Sequence, residues 1–509
     1  MPEPSFVTKS PARRLSRTFA EGVAAVGARV PGFRHAGTAA ILLALAGASS
    51  GCILTTDLPK PDLDIPMHYR APKDVHAPTP SIDWWRTFNS RELTLLIEQA
   101  QEANLDIAAA AARIRQADAQ ARITGAALLP TLSLGDQASQ SRSSGGSNNN
   151  SSSVSVSGRE FASYSTTLSA SYQIDFWSQN RDALLAAQES ADATRFDRDV
   201  VALTSLAAVA TAYFQVLVTQ DRLRIASNNI ASAERVLNAI RHRLSAGTGT
   251  DLDVAQQESV VANQKATVPL LRQTLAQNIN ALATLIGRPP ESTVIKGGSL
   301  VRMVPPRVAP GLPSDLLTQR PDIRRQESLL ASATANVGSA RAQFFPNITL
   351  TAQGGYQSAA LSALFTPQAA LYNVAAGLTQ PIFDGGRIQG NFDLSKARQE
   401  EMLQAYRKTV ISAFADVDNA LVAVRETNDR LRLQADVVAS SRRAFSLAEQ
   451  QLKAGTVDIV SVLNTQLTLF QAEDALAQAR LARLLATVSL YQALGGGWEP
   501  KLKEPVDAL

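Results

Sequence analysis

Few side chains in this sequence of 509 residues could carry out chemistry, and their spacing assembles no catalytic or metal site. Among the four histidines, His35, His68, His76 and His242, no pair has the spacing of metal ligands. Cys52 is the single cysteine, which excludes an intrachain disulfide and a cysteine metal cluster. The sequence also lacks a glycine-rich phosphate loop and a nucleophile elbow. We therefore expect neither an enzyme nor a bound cofactor or metal.

Cys52 has the surroundings of a modification site. It follows a small apolar run over residues 38–51, which is preceded by two arginines as in a signal peptide. A lone cysteine in this place resembles the lipobox of bacterial lipoproteins, which implies that Cys52 becomes acylated and anchors the chain in lipid. Ile53 follows it, where Asp would signal retention at the inner membrane, so the resemblance implies sorting to the outer membrane. The alternative is an incidental cysteine behind an ordinary signal peptide.

The basic charge of the chain is confined to its leader. Residues 1–51 carry six Lys/Arg and two Glu, which accounts for the whole formal net charge of +4. The rest of the chain is close to neutral, so a nucleic-acid partner is not expected.

The chain contains the same unit twice. One group of residues recurs 208 residues later, with Leu244, Gly247, Thr248 and Gly287 returning as Leu452, Gly455, Thr456 and Gly495. Another recurs at a spacing of 216, with Asp106, Pro130 and Leu134 returning as Asp322, Pro346 and Leu350. A Ser/Asn/Gly-rich run over residues 139–158 explains the difference, because such a composition does not build a core. A long repeat of this kind indicates a duplicated, quasi-symmetric scaffold.

Each copy contains two segments with the alternation of a β-strand. From Ser163 to Phe176 the even positions are apolar or less polar and the odd positions are polar. The same alternation predicts strands at about residues 130–138, 162–176, 346–356 and 371–383. The small polar residues at odd positions suit a water-filled lumen, so these strands favour a transmembrane β-barrel. An antiparallel sheet packed on a soluble core is the alternative.

Long helices make up most of the remaining chain. Helical periodicity runs over residues 181–244 and 389–452 with almost no Gly or Pro, which gives helices of about 95 Å. Each ends at a Gly/Thr turn, and a shorter helix returns as far as Gly287 or Gly495, so we expect two antiparallel helical hairpins. A further Ala-rich helix is predicted from Leu93 to Pro130.

These patterns divide the chain into six segments. They are a leader (1–51), an N-terminal strap (52–90), a first repeat (91–288) with its hairpin end at 246–251, a Pro-rich linker (289–320), a second repeat (321–496) with its hairpin end at 454–458, and a tail (497–509).

Four local motifs occur in a specific order from Trp84 to Trp498. They are Trp84-Trp85 with Phe88 and Leu93; Arg320-Pro321-Asp322-Ile323 with Glu327 and Phe345-Pro346; Ile174-Asp175-Phe176 paired with Gln380-Pro381-Ile382-Phe383-Asp384-Gly385-Gly386; and the two Ala-Gly-Thr turns. In these motifs the chain resembles outer-membrane efflux channels of the TolC/OprM family, in particular the NodT-like lipoproteins that serve pumps of the resistance-nodulation-division (RND) type.

The resemblance implies a mainly α fold with a transmembrane β-barrel. Three protomers of four strands each would close a twelve-stranded barrel, and the helices would continue it as a tunnel across the periplasm. A single protomer cannot close a barrel, because its edge strands would expose unpaired backbone groups to lipid. The expected partners are therefore two further copies of this chain and outer-membrane lipid.

The resemblance also implies that the hairpin ends dock a periplasmic membrane-fusion adaptor and contain a gate. The residues concerned are Gly247, Thr248, Asp251 and Asp253 in the first copy and Gly455, Thr456, Asp458, Ser461 and Asn464 in the second. Ser461 and Asn464 stand where related channels usually have acids, which would weaken a ring of negative charge and its selectivity for cations. Asp253 and Asp458 can also cap the returning helices, and the two roles are compatible.

The sequence therefore predicts a passive, trimeric export duct in the outer membrane of a Gram-negative bacterium. It would pass small molecules or drugs when an adaptor and an inner-membrane RND-type pump engage it. One alternative is an exit duct for secreted polypeptide, and another is an exported coiled-coil scaffold without a pore.

Overall fold

The computed structural model describes residues 57–69, 81–142, 160–306, 308–496 and 498–499. Cys52 and the leader lie outside the described residues, as do most of the tail and most of the Ser/Asn-rich run. Within the described chain the fold is mainly α-helical with four strands, which confirms the predicted fold class. Closure of the strands into a barrel by three copies stays a prediction.

A 3-10 turn at Trp84–Phe88 precedes the first copy. The helices and strands of this copy are α1 (Arg91–Ala103), α2 (Leu105–Gly125), β1 (Thr131–Arg142), β2 (Glu160–Ile174), α3 (Gln179–Ser245) and α4 (Asp251–Leu285). The short helix α5 (Leu316–Gln319) lies at the end of the linker. The second copy contains α6 (Pro321–Ala342), β3 (Asn347–Ser358), β4 (Ala370–Thr379), α7 (Arg387–Lys453) and α8 (Ile459–Ala493). Both α3 and α7 contain 67 residues, which makes each about 100 Å long.

The four strands form one antiparallel sheet in the order β1-β2-β3-β4. The two hairpins within it have matching registers, with Thr131 opposite Ser171 in the first and Asn347 opposite Thr379 in the second. Among the described residues, β1 and β4 each pair on one side only, so both outer edges of the sheet are open. Every residue of β1 is exposed, and so are nearly all residues of β4.

The last strand is shorter than predicted. The alternation suggested a strand over residues 371–383, but β4 ends at Thr379. Pro381 follows two residues later and has no N–H to donate to a ladder, and it restricts the backbone of the residue before it. Ile382 and Phe383 therefore leave the sheet with 91% and 92% of their surface exposed.

The prediction of one helix from Leu93 to Pro130 is wrong, because the chain leaves the helix at Asn104. The backbone of Asn104 is extended, and its side-chain oxygen accepts hydrogen bonds from the N–H groups of Asp106 (2.9 Å) and Ile107 (3.0 Å). The side-chain amide also donates to the Leu285 carbonyl at 2.7 Å. Asn104 thus begins a new helix and ties it to the end of α4.

The second copy repeats this junction with a different side chain. Arg320 has an extended backbone between α5 and α6, and its guanidinium donates to the Ala493 carbonyl at 3.1 Å. Asn104 and Arg320 are equivalent in the repeat, and so are the carbonyls of Leu285 and Ala493. The duplicated unit therefore keeps the contact although the donor has changed.

A close backbone approach accompanies each junction. Gly287 and Gly495 have φ angles of +68° and +71°, and a Cβ atom on either would overlap a carbonyl oxygen, that of Ala103 or of Gln319 respectively. Glycine at these two positions is required by both conformation and space.

The central core joins both repeats. Trp84 stacks on Tyr491 with ring centroids 5.1 Å apart, and Phe88 packs against Phe214 at 5.3 Å. Of the described helices, α3 alone is apolar and long enough to pass as a membrane span, but 56% of its most apolar segment is buried inside the protein. That segment belongs to the core of the helical body.

One junction between the sheet and the helices carries a strained residue. Ser178, which is buried, precedes α3 with φ +63°, whereas the equivalent residue before α7 is Gly386 with φ +87°. The Ser178 side chain makes no capping hydrogen bond. We expect Ser178→Gly to raise the free energy of unfolding by about 0.5–1 kcal/mol, because glycine adopts this conformation without a steric penalty.

The midpoint of thermal unfolding of the detergent-purified protein measures this effect. The reciprocal variant Gly386→Ser should lower the midpoint. A lower midpoint for Ser178→Gly would show that the hydroxyl or its packing matters more than the backbone conformation.

Candidate functional site at the two hairpin ends

The first hairpin end is a tight glycine turn followed by a capped helix. Gly247 has φ +73°, and the N–H of Thr248 donates to the Arg243 carbonyl at 2.9 Å, which closes the end of α3. Thr250 then begins α4. Its hydroxyl accepts from the N–H of Asp253 at 3.2 Å, while the Asp253 carboxylate accepts from the N–H of Thr250 at 2.9 Å. This reciprocal pair is a capping box.

The second end has the same turn but a different cap. Gly455 has φ +72°, and the N–H of Thr456 donates to the Gln451 carbonyl at 2.9 Å. The carboxylate of Asp458 accepts from the hydroxyl and the N–H of Ser461, at 2.5 and 3.1 Å. The hydroxyl donation, followed by the N–H, holds the pKa of Asp458 below its usual value. Asp458 therefore stays charged at neutral pH.

The structure thus places the predicted residues in two groups, one at each end. Asp253 and Asp458 both cap a returning helix, as one of the two predicted roles requires. Asp251 and Asn464 are exposed, and Ser461 is the partner of Asp458. The caps leave Asp458 exposed and Asp253 partly exposed, so both carboxylates can still act electrostatically on the space around them.

A link between the two ends was not predicted from the sequence. The guanidinium of Arg243 donates to the Leu452 carbonyl at 3.1 Å and to the Thr248 carbonyl at 3.3 Å, so it joins the end of α3 to the end of α7. One apolar cluster beneath it contains residues of α3, α4, α7 and α8. The two hairpins of one protomer therefore meet in a shared core near their ends.

A buried amide pair lies within this part of the molecule. Gln257 and Gln466 are both fully buried. The Nε2 of Gln257 donates to the backbone carbonyl of Ala233 at 2.9 Å and to the side-chain oxygen Oε1 of Gln466 at 3.1 Å. Among the described residues, the Oε1 of Gln257 and the Nε2 of Gln466 have no hydrogen-bond partner. The sequence pattern that could have revealed this buried amide is the position of Gln257 in α4. Its neighbours on the same helix face, such as Val254 and Val261, are apolar.

The caps give a direct test of this geometry. We expect Thr250→Ala and Asp458→Ala each to destabilise the first turn of its helix by about 1 kcal/mol, since each removes the acceptor for an otherwise unpaired N–H group. Hydrogen exchange of the amides at the start of α4 and α8 should accelerate accordingly. Asn464→Ala, an exposed change one turn further along α8, is the matched control and should leave that exchange nearly unchanged. Equal exchange in all three variants would contradict the capping role.

Known proteins are similar to this chain over most of its length. A family model described as outer membrane efflux protein matches residues 96–288 and 312–496. The chain is 42% identical to the pyoverdine export outer membrane protein OpmQ of Pseudomonas putida, over 82% of this chain and 89% of OpmQ. It is 30% identical to the cation efflux system protein CusC of Escherichia coli O6:H1, over 89% of this chain and 97% of CusC.

Solved structures agree with the sequence relatives. A crystal structure of CusC matches with a TM-score of 0.78 at 28% identity and covers 87% of this chain and 100% of that one. The outer-membrane channel OprN matches with a TM-score of 0.76 at 27% identity, with the same coverage. The residues matched by the family model include the four strands and both helical hairpins.

Proposed function

Because the chain belongs to the outer membrane efflux protein family and is an efflux channel of the Gram-negative outer membrane, we propose that it works as a homotrimeric, passive exit duct. Its partners are a periplasmic membrane-fusion adaptor and an inner-membrane RND-type pump. The observation that carries the proposal is the four-stranded sheet with two open edges at one end of two helical hairpins about 100 Å long. We further propose that a covalent lipid on Cys52 adds an anchor.

The open edges support the trimer. In a bilayer, each unpaired backbone N–H or C=O costs several kcal/mol, so a spanning sheet must close on itself. Four strands are too few, since the smallest membrane barrels have about eight. Three copies bring twelve strands, and the edge β4 of one copy then meets the edge β1 of the next.

The capped hairpin ends support a gate that moves as rigid pieces. Each returning helix is fixed to its turn by Asp253 or Asp458, so the turn and the first helical turn move together. The Gly247 and Gly455 turns are the surfaces offered to the adaptor. Outward movement of the hairpins would widen the ring of carboxylates that Asp251, Asp253 and Asp458 contribute, and cargo would then enter.

Small molecules are the proposed cargo. The names of the relatives mention pyoverdine, cations and toluene, which have little chemistry in common. A wide, wet duct that hydrolyses nothing fits such a range, and selection then falls to the pump.

Single-channel conductance in a planar bilayer tests the duct and its gate together. Asp458→Ser keeps a side chain that caps well but removes the charge, whereas Asp458→Ala removes both. If the carboxylate gates, both variants enlarge or prolong the openings, and Gln450→Ala, an exposed neutral change on α7, behaves as wild type. If only Asp458→Ala gives larger openings, Asp458 acts by capping its helix and its charge does not gate the channel.

Two results would overturn the wider proposal. A verified trimer that never conducts, even in open-end variants, would favour the scaffold without a pore. Passage of an unfolded polypeptide in cells, with no change in resistance to small toxic molecules when the channel is deleted, would favour the secretion duct.

A further inference from the structure

A groove with a polar lining lies on α3 between α2 and α6, in the part of the helical body next to the sheet. Its volume is about 580 Å³, which is in the range of small-molecule sites. The polar side chains that line it include Arg113, Gln116, Gln120, Thr194, Asp197 and Arg325. All three helices belong to one chain, so the groove is complete without a partner subunit. We call it the first groove.

The internal repeat contains this groove twice. A second groove of about 480 Å³ lies between α6 and α7. Its Asn336 is the counterpart of Gln120 at a spacing of 216, and its Met402 is the counterpart of Thr194 at a spacing of 208. Leu329 of α6 lines both grooves, so they open on the same side of the helical layer.

The two grooves differ in charge. The first contains two guanidinium groups, Arg113 and Arg325, and one carboxylate, Asp197, which gives a net charge of +1. The second contains one cation, Arg398, and one carboxylate, Glu401, and is neutral. The excess of positive charge therefore belongs to the first groove alone.

The cations of the first groove keep free donors. Arg325 donates through Nη1 to Asp197 at 2.7 Å, which joins α6 to α3, whereas its buried Nε has no hydrogen-bond partner among the described residues. Arg113 is exposed and makes no hydrogen bond or ion pair within the described part of the chain. The repeat has Leu329 at the position of Arg113, so the scaffold does not require a cation there.

The first groove faces away from the segments packed around the helices. Trp85 and Trp498 lie on one side of α3, where the indole N–H of Trp498 donates to Asp199 at 2.9 Å. At 3.6 residues per turn, Ser190 and Asp197 lie on the opposite side of α3 from Asp199. A tunnel has no room inside for packed segments, so in the proposed duct these segments lie outside and the groove opens into the lumen.

Resting on the proposed duct, we propose that the first groove is a transit site for small organic anions that carry carboxylates. Arg113 and the remaining donors of Arg325 bind the acidic group, because the planar guanidinium fork matches the geometry of a carboxylate. Gln116 and Thr194 supply hydrogen bonds to polar parts of the same molecule. Binding in a wet tunnel is weak, which a duct requires because its cargo must leave again.

The site can be reached without passing the hairpin ends. Asp197 lies within about 27 Å of the start of α3, next to the sheet, whereas the end of α3 is about 100 Å from its start. A solute added on the side of the sheet therefore reaches the groove through the proposed barrel.

Cysteine labelling of the channel in a planar bilayer tests the site. Gln116→Cys places a thiol one helical turn from Arg113, on the same face of α2. Sulfonatoethyl methanethiosulfonate, an anion, should label this variant several-fold faster than the cationic trimethylammonioethyl reagent does, because the groove concentrates anions. Labelling should also lower the single-channel current. Asn336→Cys in the neutral second groove should show no such preference, and the unsubstituted chain measures any background from Cys52.

Succinate is the probe for binding itself. Added at constant ionic strength, it should slow the labelling of Gln116→Cys several-fold and leave that of Asn336→Cys unchanged. In the Gln116→Cys background, Arg113→Leu copies the second groove and should abolish both the preference for the anionic reagent and the protection by succinate. Arg115→Leu is the matched control, since it removes the same charge from the opposite side of α2, and it should preserve both effects.

The outcomes separate the site from the duct. Equal losses in Arg113→Leu and Arg115→Leu would show that only the overall charge matters and would overturn the site. Labelling of Gln116→Cys without a change of current would place the groove outside the lumen and overturn its role in transit, while the duct stands. A verified wild-type trimer that never conducts would overturn the proposed function itself.

Discussion

Replacing Gly287 or Gly495 with alanine should lower the free energy of unfolding by about 3 kcal/mol. Each glycine combines a positive φ with a backbone contact that leaves no room for a Cβ. A left-handed backbone costs a non-glycine residue about 1–2 kcal/mol, and overpacking at a rigid contact adds about 1–3 kcal/mol. The obstacle is a carbonyl oxygen of a neighbouring helix end, which cannot rotate away as a flexible side chain could.

The chain offers a matched control for this prediction. Gly455 has nearly the same φ, +72°, but nothing lies within 4 Å of a Cβ built there. Gly455→Ala should therefore show the backbone penalty alone, about 1 kcal/mol. Thermal unfolding of the three detergent-purified variants and their yield of folded protein compare the two effects. If Gly287→Ala lowers the free energy of unfolding no more than Gly455→Ala does, the lack of space for a Cβ at the helix junction does not affect stability.

The second large effect is expected at Arg320. Its guanidinium donates to both carboxylate oxygens of Asp322 (3.0 and 2.7 Å), to Asp416 (3.2 Å) and to the Ala493 carbonyl. Only 11% of the Arg320 side chain is exposed. Arg320→Met keeps the volume but leaves two carboxylates and a carbonyl without this donor, and we expect a loss of about 3 kcal/mol. The partly exposed carboxylates keep the cost at the low end of the usual range.

Arg425 provides the comparison for Arg320. Its pair with Glu426 is exposed on both sides, with 58% and 59% of the side chains accessible. Arg425→Met should change the free energy of unfolding by less than about 0.5 kcal/mol. Chemical denaturation at low and high salt distinguishes the two kinds of ion pair. Salt weakens the exposed pair of Arg425 with Glu426 and hardly affects the buried pairs of Arg320. Similar losses in both variants would show that Arg320 acts only through its alkyl chain.

The elements that could be predicted from the sequence are those with long, regular patterns. The period of two fixed the approximate strand positions, and the absence of Gly and Pro over more than sixty residues indicated α3 and α7, whose observed limits are Gln179–Ser245 and Arg387–Lys453. The repeat then assigned each element a counterpart. These signals are local, so one sequence is enough to read them.

The break at Asn104 could not be predicted in the same way. The residues on both sides of it favour a helix, and the amide that stabilises the break reaches Leu285, which is 181 positions away. The candidate site shows the same limit. Capping by Asp253 and Asp458 follows from short-range spacing, whereas the contact of Arg243 with Leu452 and that of Gln257 with Gln466 depend on how two distant hairpins pack.

The two hairpin ends of one protomer have the same backbone turn but different chemistry. The first carries a capping box of Thr250 and Asp253, and the second carries Asp458 with Ser461. Around a threefold ring these ends would alternate, so a partner built from identical subunits would meet two kinds of binding position in turn. We expect its binding to occur in two steps of different affinity, with half of the positions filled first.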